Sequence, residues 1–246
     1  MTLTGDLVEE HKLIKRMIDM LESFAKKLEE GQIVEPIIFE QATDFIRNFA
    51  DRFHHAKEED ILFKEMVKKG MPEKDSPIEV MLIEHEQGRD FVKGIIRANE
   101  QLKRGDKRAI KEIIRNAKGY IELLREHIEK ENDILYPLAE RMFTQEEQKE
   151  LYHKFKEAET KKGGELTVKK YEGIVIIFEM SEIANRNLPA SARSKRAMLR
   201  SKASGTAIAV SEHAQKHATC FSTGSVFDTK LNGGELKSQK IELIRV

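Results

Sequence analysis

The sequence predicts a mainly α-helical protein: an up-down-up-down four-helix bundle with a short extra helix, followed by a C-terminal region of a different character. Apolar residues recur at alternating steps of three and four through the first 160 residues, the spacing of helices with one buried face. Glycine and proline interrupt this pattern at residues 31–36, at 70–72 and at 105. Long helices joined by short links pack as antiparallel neighbours, so four of them predict this topology.

Each predicted helix carries a stripe of residues that should face the bundle interior. The stripe of the first helix contains Leu7, His11, Ile14, Ile18, Leu21, Ala25 and Leu28. The stripe of the second contains Ile46, Ala50, His54, Glu58 and Ile61, flanked by Phe49, Phe53 and Leu62. The stripe of the third contains Ile78, Leu82, His85, Gly88, Val92, Ile95, Asn99 and Leu102. The stripe of the fourth contains Ile113, Ala117, Tyr120, Leu124, His127, Glu131, Ile134 and Leu138.

Two polar signals predict where later helices begin. Asp106 follows Gly105 and is a candidate N-cap for the fourth helix. Thr144 and Glu147 fit a capping box, in which each side chain accepts a hydrogen bond from the other residue's backbone N–H. A short fifth helix is therefore predicted after Thr144.

Residues 161–246 differ from the bundle in composition and charge. They contain 15 of the 43 Lys and Arg residues but only 8 of the 43 Asp and Glu residues, so a basic region follows an acidic one. The segments "YEGIVIIFEM", "GTAIAV" and "QKIELIRV" have the composition of β-strands, and residues 186–202 resemble a linker or disordered chain. We expect a bundle domain over residues 1–160 and a basic, partly β-structured or disordered region over 161–246.

Composition excludes several classes of function. Cys220 is the only cysteine, so one chain cannot form an internal disulfide, a cysteine-ligated zinc site or an iron-sulfur cluster. The longest apolar run, at residues 173–178, is too short to span a bilayer, and the N-terminal segment lacks the features of a secretory signal, so we expect a cytoplasmic protein. The basic segment lacks interleaved aromatic residues, and nucleic acid is therefore not an expected partner.

One motif occurs twice in the predicted bundle. "HHAKEEDILF" at residues 54–63 and "HIEKENDILY" at residues 127–136 share the pattern H-x-x-K-E-x-D-I-L-[FY]. Side chains four residues apart lie on the same face of a helix, so each repeat places a histidine beside a glutamate. The aligned pairs are His54 with Glu58 and His127 with Glu131.

The inward histidines of all four helices should lie at one height in the bundle. Two residues of an antiparallel hairpin share a height when they are equally far from the turn. The midpoint of positions 11 and 54 is 32.5, beside Gly31; that of 54 and 85 is 69.5, beside Gly70; and that of 85 and 127 is 106, beside Gly105. The predicted layer consists of His11, His54, His85 and His127 with Glu58 and Glu131.

Metal ions explain why such a polar layer would be buried. Two ionised carboxylates and four imidazoles in an apolar core are strongly unfavourable without partners, because even one unpaired buried charge costs several kcal/mol. Imidazole and carboxylate ligands without thiolate suit iron, manganese or zinc, and two carboxylates that can bridge favour two ions. Six protein ligands shared by two ions leave coordination positions open, as in a reactive site.

Residues 5–160 resemble the hemerythrin-like, HHE cation-binding family. The resemblance rests on "EEH" at His11, "FADRFHHAKEEDILF" at His54 and Glu58, "IEHEQGRDF" at His85, and "REHIEKENDILYPLAE" at His127 and Glu131. It implies a non-haem centre of two iron ions with an oxo or hydroxo bridge, with Glu58 and Glu131 also bridging the metals; manganese and zinc are alternatives. It also implies a small diatomic or peroxide ligand: dioxygen, nitric oxide or peroxide.

The resemblance is to a variant with four histidines and two glutamates. The oxygen-carrying hemerythrins place a further histidine one turn after the third, where this sequence has Arg89. The four-histidine variant is similar to members linked to iron or oxygen sensing and to repair of iron centres after nitrosative stress. Repair members commonly carry a further cysteine-containing N-terminal segment, whereas this sequence begins at the bundle.

Three functions follow from these expectations. The preferred one is binding or sensing of dioxygen or a related small oxidant such as nitric oxide or peroxide. The alternative is a di-iron enzyme that acts on peroxide or nitric oxide, or that delivers iron for iron-sulfur cluster repair. The third is a structural bundle in which metal only holds the helices together. A homo-oligomer or a signalling partner could form through the C-terminal region.

His55 offers a rival arrangement of the first repeat. It has Glu59 four residues on and so forms a second H-x-x-x-E pattern. Only the pattern that begins at His54 aligns with the second repeat and with the inward stripe. His55 is therefore expected to lie behind the ligands or to be exposed.

Charged residues beside the predicted ligands are expected to have other positions. Glu10 and Glu84 each directly precede an inward histidine and should point elsewhere on their helices. The lysine of each repeat should form a surface ion pair with the aspartate three residues further along the chain. These pairs are Lys57 with Asp60 and Lys130 with Asp133.

Overall fold

The computed structural model describes residues 2–187, which fold as four helical rods and two further helices. The first rod is α1 (Gly5–Glu29). The second comprises α2 (Pro36–Phe45), the π-helices π1 (Ile46–His55) and π2 (Glu58–Leu62), and α3 (Phe63–Lys68). The third is α4 (Pro77–Lys103), and the fourth comprises α5 (Ala109–Lys130), π3 (Glu131–Leu135) and α6 (Tyr136–Met142). Outside the bundle lie α7 (Gln145–Lys161), which packs on π2, and α8 (Gly164–Asn187), which packs on α1.

Consecutive rods run in opposite directions and are joined by short turns. α1 packs against α5 and π1, and α4 packs against α5 and α2, which closes a bundle of four. Each turn contains a glycine in the left-handed region: φ is 73° at Gly31, 100° at Gly70 and 94° at Gly105. Glycine adopts this conformation readily because it has no Cβ, and it ends the preceding helix. The predicted up-down-up-down bundle and its turns are confirmed.

Two apolar clusters lie on either side of the histidine and glutamate layer. In the first rod, Leu7 belongs to one cluster and Ile14 to the other, with His11 between them. In the fourth rod, Ile128 and Leu135 belong to different clusters in the same way. Burial of apolar side chains stabilises the bundle by about 25 cal/mol per Å². This packing above and below the layer holds its polar side chains away from solvent.

A π-helix begins at the layer glutamate in both the second and the fourth rod. Glu58 is the first residue of π2, and Glu131 is the first residue of π3. A π-helix closes hydrogen bonds between residues i and i+5 and so places an extra residue in the turn, often at a functional site. The extra residue changes which side chains face inward after each glutamate.

This change of register corrects three positions of the predicted stripes. Ile61 and Leu138 were expected inward, but they are only partly buried. Leu62, which was expected to flank the stripe, and Ala139 are fully buried. Ile134 was also expected inward, but it is 56% exposed and Leu135 is buried. The predicted stripes assumed 3.6 residues per turn throughout, which fails where the turn is wider.

Two predictions in the third and fourth rods were wrong in detail. Leu82 was expected inward but is 38% exposed, and Met81 is buried instead, because the stripe steps by three residues rather than four at this point. Asp106 was expected to cap α5, which begins at Ala109. Asp106 instead accepts a hydrogen bond from the backbone N–H of Arg108 at 3.0 Å, within the turn.

The predicted capping box begins the helix that follows the bundle. The backbone N–H of Glu147 donates to Thr144 Oγ1 at 3.3 Å, and the backbone N–H of Thr144 donates to the Glu147 carboxylate at 2.9 Å. The helix that this box starts, α7, is longer than the short helix expected. Its start after Thr144 is confirmed.

The segment "YEGIVIIFEM" is part of α8, so the prediction of a strand there was wrong. Tyr171, Val175, Phe178 and Glu182 are buried at helical spacing. The ring of Phe178 meets that of Phe24 edge to face at 5.2 Å. Packing against the bundle therefore outweighs the strand preference of the valine and isoleucines, which is a weak and context-dependent signal.

Other expectations for the C-terminal region lie outside the described residues. They concern the strands "GTAIAV" and "QKIELIRV" and the basic linker at residues 186–202, of which only the first residues belong to α8. The domain boundary at residue 160 stays a prediction. Among the helices of residues 2–187, none combines the length and the apolar character needed to cross a bilayer.

Candidate metal centre

Six polar side chains from the four rods converge in one buried layer. Each of them is at most 2% exposed. They are His11 on α1, His54 on π1, Glu58 on π2, His85 on α4, His127 on α5 and Glu131 on π3. The structure thus brings together all the residues that the sequence placed at one height. Their role as metal ligands stays a prediction.

Together with His55, the layer contains two groups of potential ligand atoms. In the first group, one ligand atom from each of His11, His54, Glu58 and Glu131 lies within 4.8 Å of the others. In the second group, His55, His85 and His127 are arranged in the same way. Three or four imidazole and carboxylate donors suffice to hold a transition-metal ion.

The two glutamates lie between the histidines of the two groups. Glu131 Oε2 lies 3.2 Å from Nε2 of His11, and Oε1 lies 3.1 Å from Nε2 of His127. Glu58 Oε2 lies 3.7 Å from Nε2 of both His54 and His85. Each carboxylate can therefore reach a cation in either group, as the bridging role expected of it requires.

Two histidines of the layer are held in place by glutamates of neighbouring rods. Nδ1 of His54 lies 2.8 Å from Oε2 of Glu10, and Nδ1 of His127 lies 2.9 Å from Oε2 of Glu84. Because each Nδ1 is held by a carboxyl group of another rod, Nε2 of each ring faces the centre. Histidines that bind metals are oriented in this way. The expectation that Glu10 and Glu84 point elsewhere missed this contact.

The other two histidines are held by the residue that follows each layer glutamate. Nδ1 of His85 lies 2.6 Å from a carboxylate oxygen of Glu59, and Nδ1 of His11 lies 2.9 Å from Oδ1 of Asn132. Arg89 also donates to Glu59 at 2.6 Å. All four predicted histidines are thus fixed through Nδ1, which leaves four Nε2 atoms directed at one another.

The lysine of each repeat pairs with the glutamate that holds the histidine of that repeat. Lys57 pairs with Glu10, and Lys130 pairs with Glu84. Lys57 is only 1% exposed and also pairs with Glu159 of α7 at 2.8 Å. The predicted surface pairs of both lysines were therefore wrong, because each lysine reaches a neighbouring rod.

These contacts explain why the motif occurs twice. In each repeat, the histidine and the lysine bind the glutamate of one Glu-His pair, at residues 10–11 or 84–85. The residue after the layer glutamate then binds the histidine of the other Glu-His pair. The layer therefore has approximate twofold symmetry, and both the lysine and the glutamate of H-x-x-K-E are needed to build it.

His55 breaks this symmetry on one side. Its counterpart in the second repeat is the apolar Ile128. The ring of His55 is buried and stacks on that of His85 with 3.8 Å between centroids, so the expectation that His55 could be exposed was wrong. π1 ends at His55, and its wide turn lets His54 and His55 both face inward. The two adjacent histidines in the sequence were a signal for this site, but on an α-helix only one of them could face inward.

Tyr136 breaks the symmetry on the other side. Its counterpart in the first repeat is Phe63, which has no hydroxyl. The Tyr136 hydroxyl donates to Glu58 Oε1 at 2.5 Å and lies 3.4 Å from Nε2 of His11. The two groups of the layer therefore differ chemically: one has a phenol beside it, and the other has an additional imidazole.

Several buried atoms of the layer have no hydrogen-bond partner among the described residues. They are Nε2 of His54, Oε2 of Glu58 and both carboxylate oxygens of Glu131. Buried polar atoms nearly always have partners, and each exception needs an explanation. Cations bound between these nitrogen and oxygen atoms would satisfy all of them, so the residues present fit a pair of metal ions.

The pKa values of the layer show that protons compete with cations. Burial and the nearby Glu131 carboxylate raise the pKa of Glu58 well above its usual range. Burial opposes the charged form of His127, but the Glu131 and Glu84 carboxylates outweigh it and raise the pKa of His127 to about 9. Burial lowers the pKa of His54 well below its usual range, which keeps that imidazole neutral. Metal binding is therefore coupled to the release of protons.

Comparison with known proteins supports the same kind of site. The hemerythrin HHE cation binding domain model matches residues 2–139, which include all six residues of the layer. The chain is also similar to uncharacterized protein Rv1995 of Mycobacterium tuberculosis and uncharacterized protein Mb2018 of Mycobacterium bovis. Each is 22% identical over 165 residues, which cover 67% of this chain and 64% of the relative.

The chain thus spans somewhat less than two thirds of the length of the curated relatives it matches. No solved structure matches the chain. The family match covers more than half of the chain and includes the whole bundle layer. The chain belongs to the hemerythrin HHE cation-binding domain family.

Proposed function

We propose that this protein holds two iron ions in the layer and binds or senses dioxygen or a related small oxidant such as nitric oxide or peroxide. The observation that carries the proposal is the convergence of four Nδ1-anchored histidines on two buried carboxylates, three of whose four oxygens lack a hydrogen-bond partner among the described residues. Nitrogen and oxygen donors without sulfur suit iron, and two shared carboxylates suit a pair of ions.

Iron would supply redox chemistry and an open coordination position for a small ligand. The protein's own residues would set the conditions for that chemistry. Glu10 and Glu84 orient imidazoles and increase their basicity as ligands. The two apolar clusters exclude bulk water from the layer. The Tyr136 hydroxyl is a proton donor at Glu58, next to His11.

An enzymatic function is supported by the same hydroxyl. A donor beside a buried carboxylate can supply a proton during turnover of peroxide or nitric oxide, a role that simple binding does not require. Consumption of peroxide or nitric oxide over many equivalents would distinguish an enzyme from a protein that binds one equivalent and stops. Restored activity of a damaged iron-sulfur protein would indicate iron delivery instead.

Elemental analysis tests the metal first. Full-length protein purified without added metal should contain close to two iron ions per chain. In the double variant Glu58→Gln, Glu131→Gln, which keeps the side-chain volume but removes both charges, we expect at least one of these ions to be lost. Glu129→Gln, at an exposed position of the same rod, is the matched control and should retain both ions.

Optical spectroscopy then tests the ligand. A reduced, iron-loaded sample should develop a new visible absorption band on exposure to dioxygen or nitric oxide, and the double variant should not. Iron-loaded protein whose spectrum is unchanged by dioxygen, nitric oxide and peroxide would contradict the binding or sensing of these ligands. A cytoplasmic location and a signalling partner or second copy at the C-terminal region are part of the proposal.

A further inference from the structure

A cavity of about 270 Å³ lies between π1, α4 and α5, beside the second group of the layer. Its inner wall contains all three histidines of that group, His55, His85 and His127. One water molecule in the liquid takes up about 30 Å³, so the cavity is larger than a diatomic molecule or peroxide requires. Its size approaches the lower end of the range for pockets that hold small organic ligands.

Apolar side chains form much of the cavity wall. Ile46 of π1, Val92 and Ile96 of α4, and Leu123 and Leu124 of α5 all line it. Such a wall favours a ligand with a hydrocarbon body, because removing the apolar surfaces of both the wall and the ligand from water lowers the free energy. A ligand that consisted only of polar atoms would leave this wall unused.

Tyr120 adds one polar group to the same wall. The residue is 3% exposed, and its hydroxyl has no hydrogen-bond partner within residues 2–187. A buried hydroxyl normally has a partner, and a missing one costs about 1–3 kcal/mol. An oxygen atom of a bound ligand would satisfy this hydroxyl.

Gly88 of α4 keeps the cavity open beside Tyr120. A Cβ atom at position 88 would lie 3.6 Å from the Tyr120 ring and 3.9 Å from Leu123 Cδ2, which are ordinary contact distances. Close helix packing therefore does not require glycine here, unlike at Gly94, where a Cβ would lie 2.2 Å from Asn116 Oδ1. The absence of a side chain at position 88 instead leaves space in the cavity.

The charges around the cavity favour an anion. Four cationic residues line it, Arg47, Arg52, Arg89 and Lys93, against two acidic ones, Asp51 and Glu84. Both acids are paired, Asp51 with Arg89 and Glu84 with Lys130. Two of the cations are paired as well, Arg89 with Glu59 and Glu86 and Lys93 with Asp90. Arg47 and Arg52 are exposed and form no ion pair within the described part of the chain, so these two cations attract an anion to the cavity.

We propose that this cavity binds a small amphipathic organic carboxylate beside the cation centre. The carboxylate group pairs with Arg47 and Arg52 and accepts a hydrogen bond from the Tyr120 hydroxyl, and the hydrocarbon body lies on the apolar wall. The proposal goes beyond the binding of a small oxidant in the layer. It identifies a second, organic ligand whose body would lie against the three histidines of the second group.

Calorimetric titration of the full-length protein with sodium octanoate tests the proposal. We expect saturable binding of one octanoate per chain, and binding at least about tenfold weaker for 1-octanol and octylammonium, which lack the negative charge. Absence of saturable octanoate binding would overturn the proposal. Equal affinity for 1-octanol would overturn the role of the cationic residues and with it the carboxylate as ligand.

Three variants locate the binding site. Arg47→Gln with Arg52→Gln should weaken octanoate binding about tenfold, and Tyr120→Phe should weaken it about fivefold through the lost hydrogen bond. Gly88→Leu should abolish binding by filling the cavity. Arg97→Gln, an exposed arginine of α4 that does not line the cavity, is the matched control and should leave the affinity unchanged.

Iron content measured on the same samples separates this proposal from the function of the layer. Protein that holds iron but does not bind octanoate would overturn the cavity proposal alone. Protein that binds octanoate in a manner sensitive to Tyr120→Phe, but holds no metal, would overturn the iron centre alone. An Arg97→Gln effect as large as that of the Arg47 and Arg52 substitutions would indicate non-specific charge attraction and would also overturn the cavity proposal.

Discussion

Glu10 lies 2.8 Å from Nδ1 of His54, although it belongs to another rod and its immediate neighbour His11 faces the same layer. Consecutive residues of α1 therefore contribute to one site in two ways: Glu10 orients an imidazole, and His11 offers one. Glu84 and His85 repeat this arrangement on α4. The centre is consequently built from pairs of adjacent residues, and its stability depends on charged side chains behind the predicted ligands.

The buried ion pair behind His54 should be more important for stability than its symmetric counterpart. Lys57→Met leaves Glu10 buried without its main cation, which should cost about 3–5 kcal/mol of unfolding free energy. Lys130→Met is the matched control: its side chain is 35% exposed, and we expect a cost of about 1 kcal/mol or less. Urea denaturation of both metal-free variants measures the difference, and equal costs would contradict it.

His55 should contribute to only one of the two cation positions. His55→Ile introduces the residue found at the equivalent position of the second repeat, Ile128, and removes one of the three imidazoles in the second group. We expect one metal ion to bind about 10–100-fold more weakly, which is the usual effect of removing a residue that supports a metal site. The other ion should keep its affinity.

Stepwise metal titration followed by calorimetry or absorbance separates these two affinities. His153→Ile, at an exposed histidine of α7, is a control for removing an imidazole elsewhere. Two unchanged affinities in His55→Ile would show that His55 only packs against His85.

The Tyr136 hydroxyl should affect the layer without being needed to assemble it. Tyr136→Phe removes the hydrogen bond to Glu58 but keeps the ring, which stacks on His11 with 5.5 Å between centroids. We expect a loss of about 1 kcal/mol in unfolding free energy, an unchanged metal stoichiometry and an altered visible spectrum of the iron-loaded protein. Loss of both metal ions would instead show that the phenol is essential for binding.

Asp51 should stabilise the protein in a manner that depends on pH. Burial acts against its charged form, but the nearby His55 imidazole, 3.7 Å away, and the hydrogen bond from Arg89 at 2.9 Å outweigh this and lower the pKa of Asp51 from 3.8 to about 2. A lowered carboxyl pKa stabilises the folded state above the unfolded pKa, and this contribution is lost as the pH falls from about 4 to about 2.

The variant Asp51→Asn tests whether the stability contributed by Asp51 is lost on acidification. Its stability should be lower than that of the wild type by roughly 1 kcal/mol at pH 7 and pH 5, after allowance for solvent screening. The difference should shrink below pH 4, as measured by urea denaturation of the metal-free proteins. A difference that grows on acidification would contradict the assignment.

The bundle and the height of its layer could be predicted because they depend on local regularities. Helical spacing of apolar residues identifies the rods, and Gly31, Gly70 and Gly105 mark turns that fix how far each histidine lies from a helix end. Predictions failed where the helix departs from α-helical geometry. The π-turns at Glu58 and Glu131 moved Leu62 and Leu135 inward, and single-sequence periodicity carries no signal for a wider turn.

By itself, the sequence determined the four rods, their antiparallel order and the six side chains that meet at one depth, because these follow from residue spacing along each helix. Only the tertiary structure decided which charged groups hold those side chains, since Lys57, Glu10 and Glu159 come from three different rods or helices and meet only when these pack. It also decided the position of His55 and the course of α8, where burial against the bundle outweighs local preference. Spacing along a helix gives the height of a side chain, but which charged groups of neighbouring rods meet at that height is set by packing.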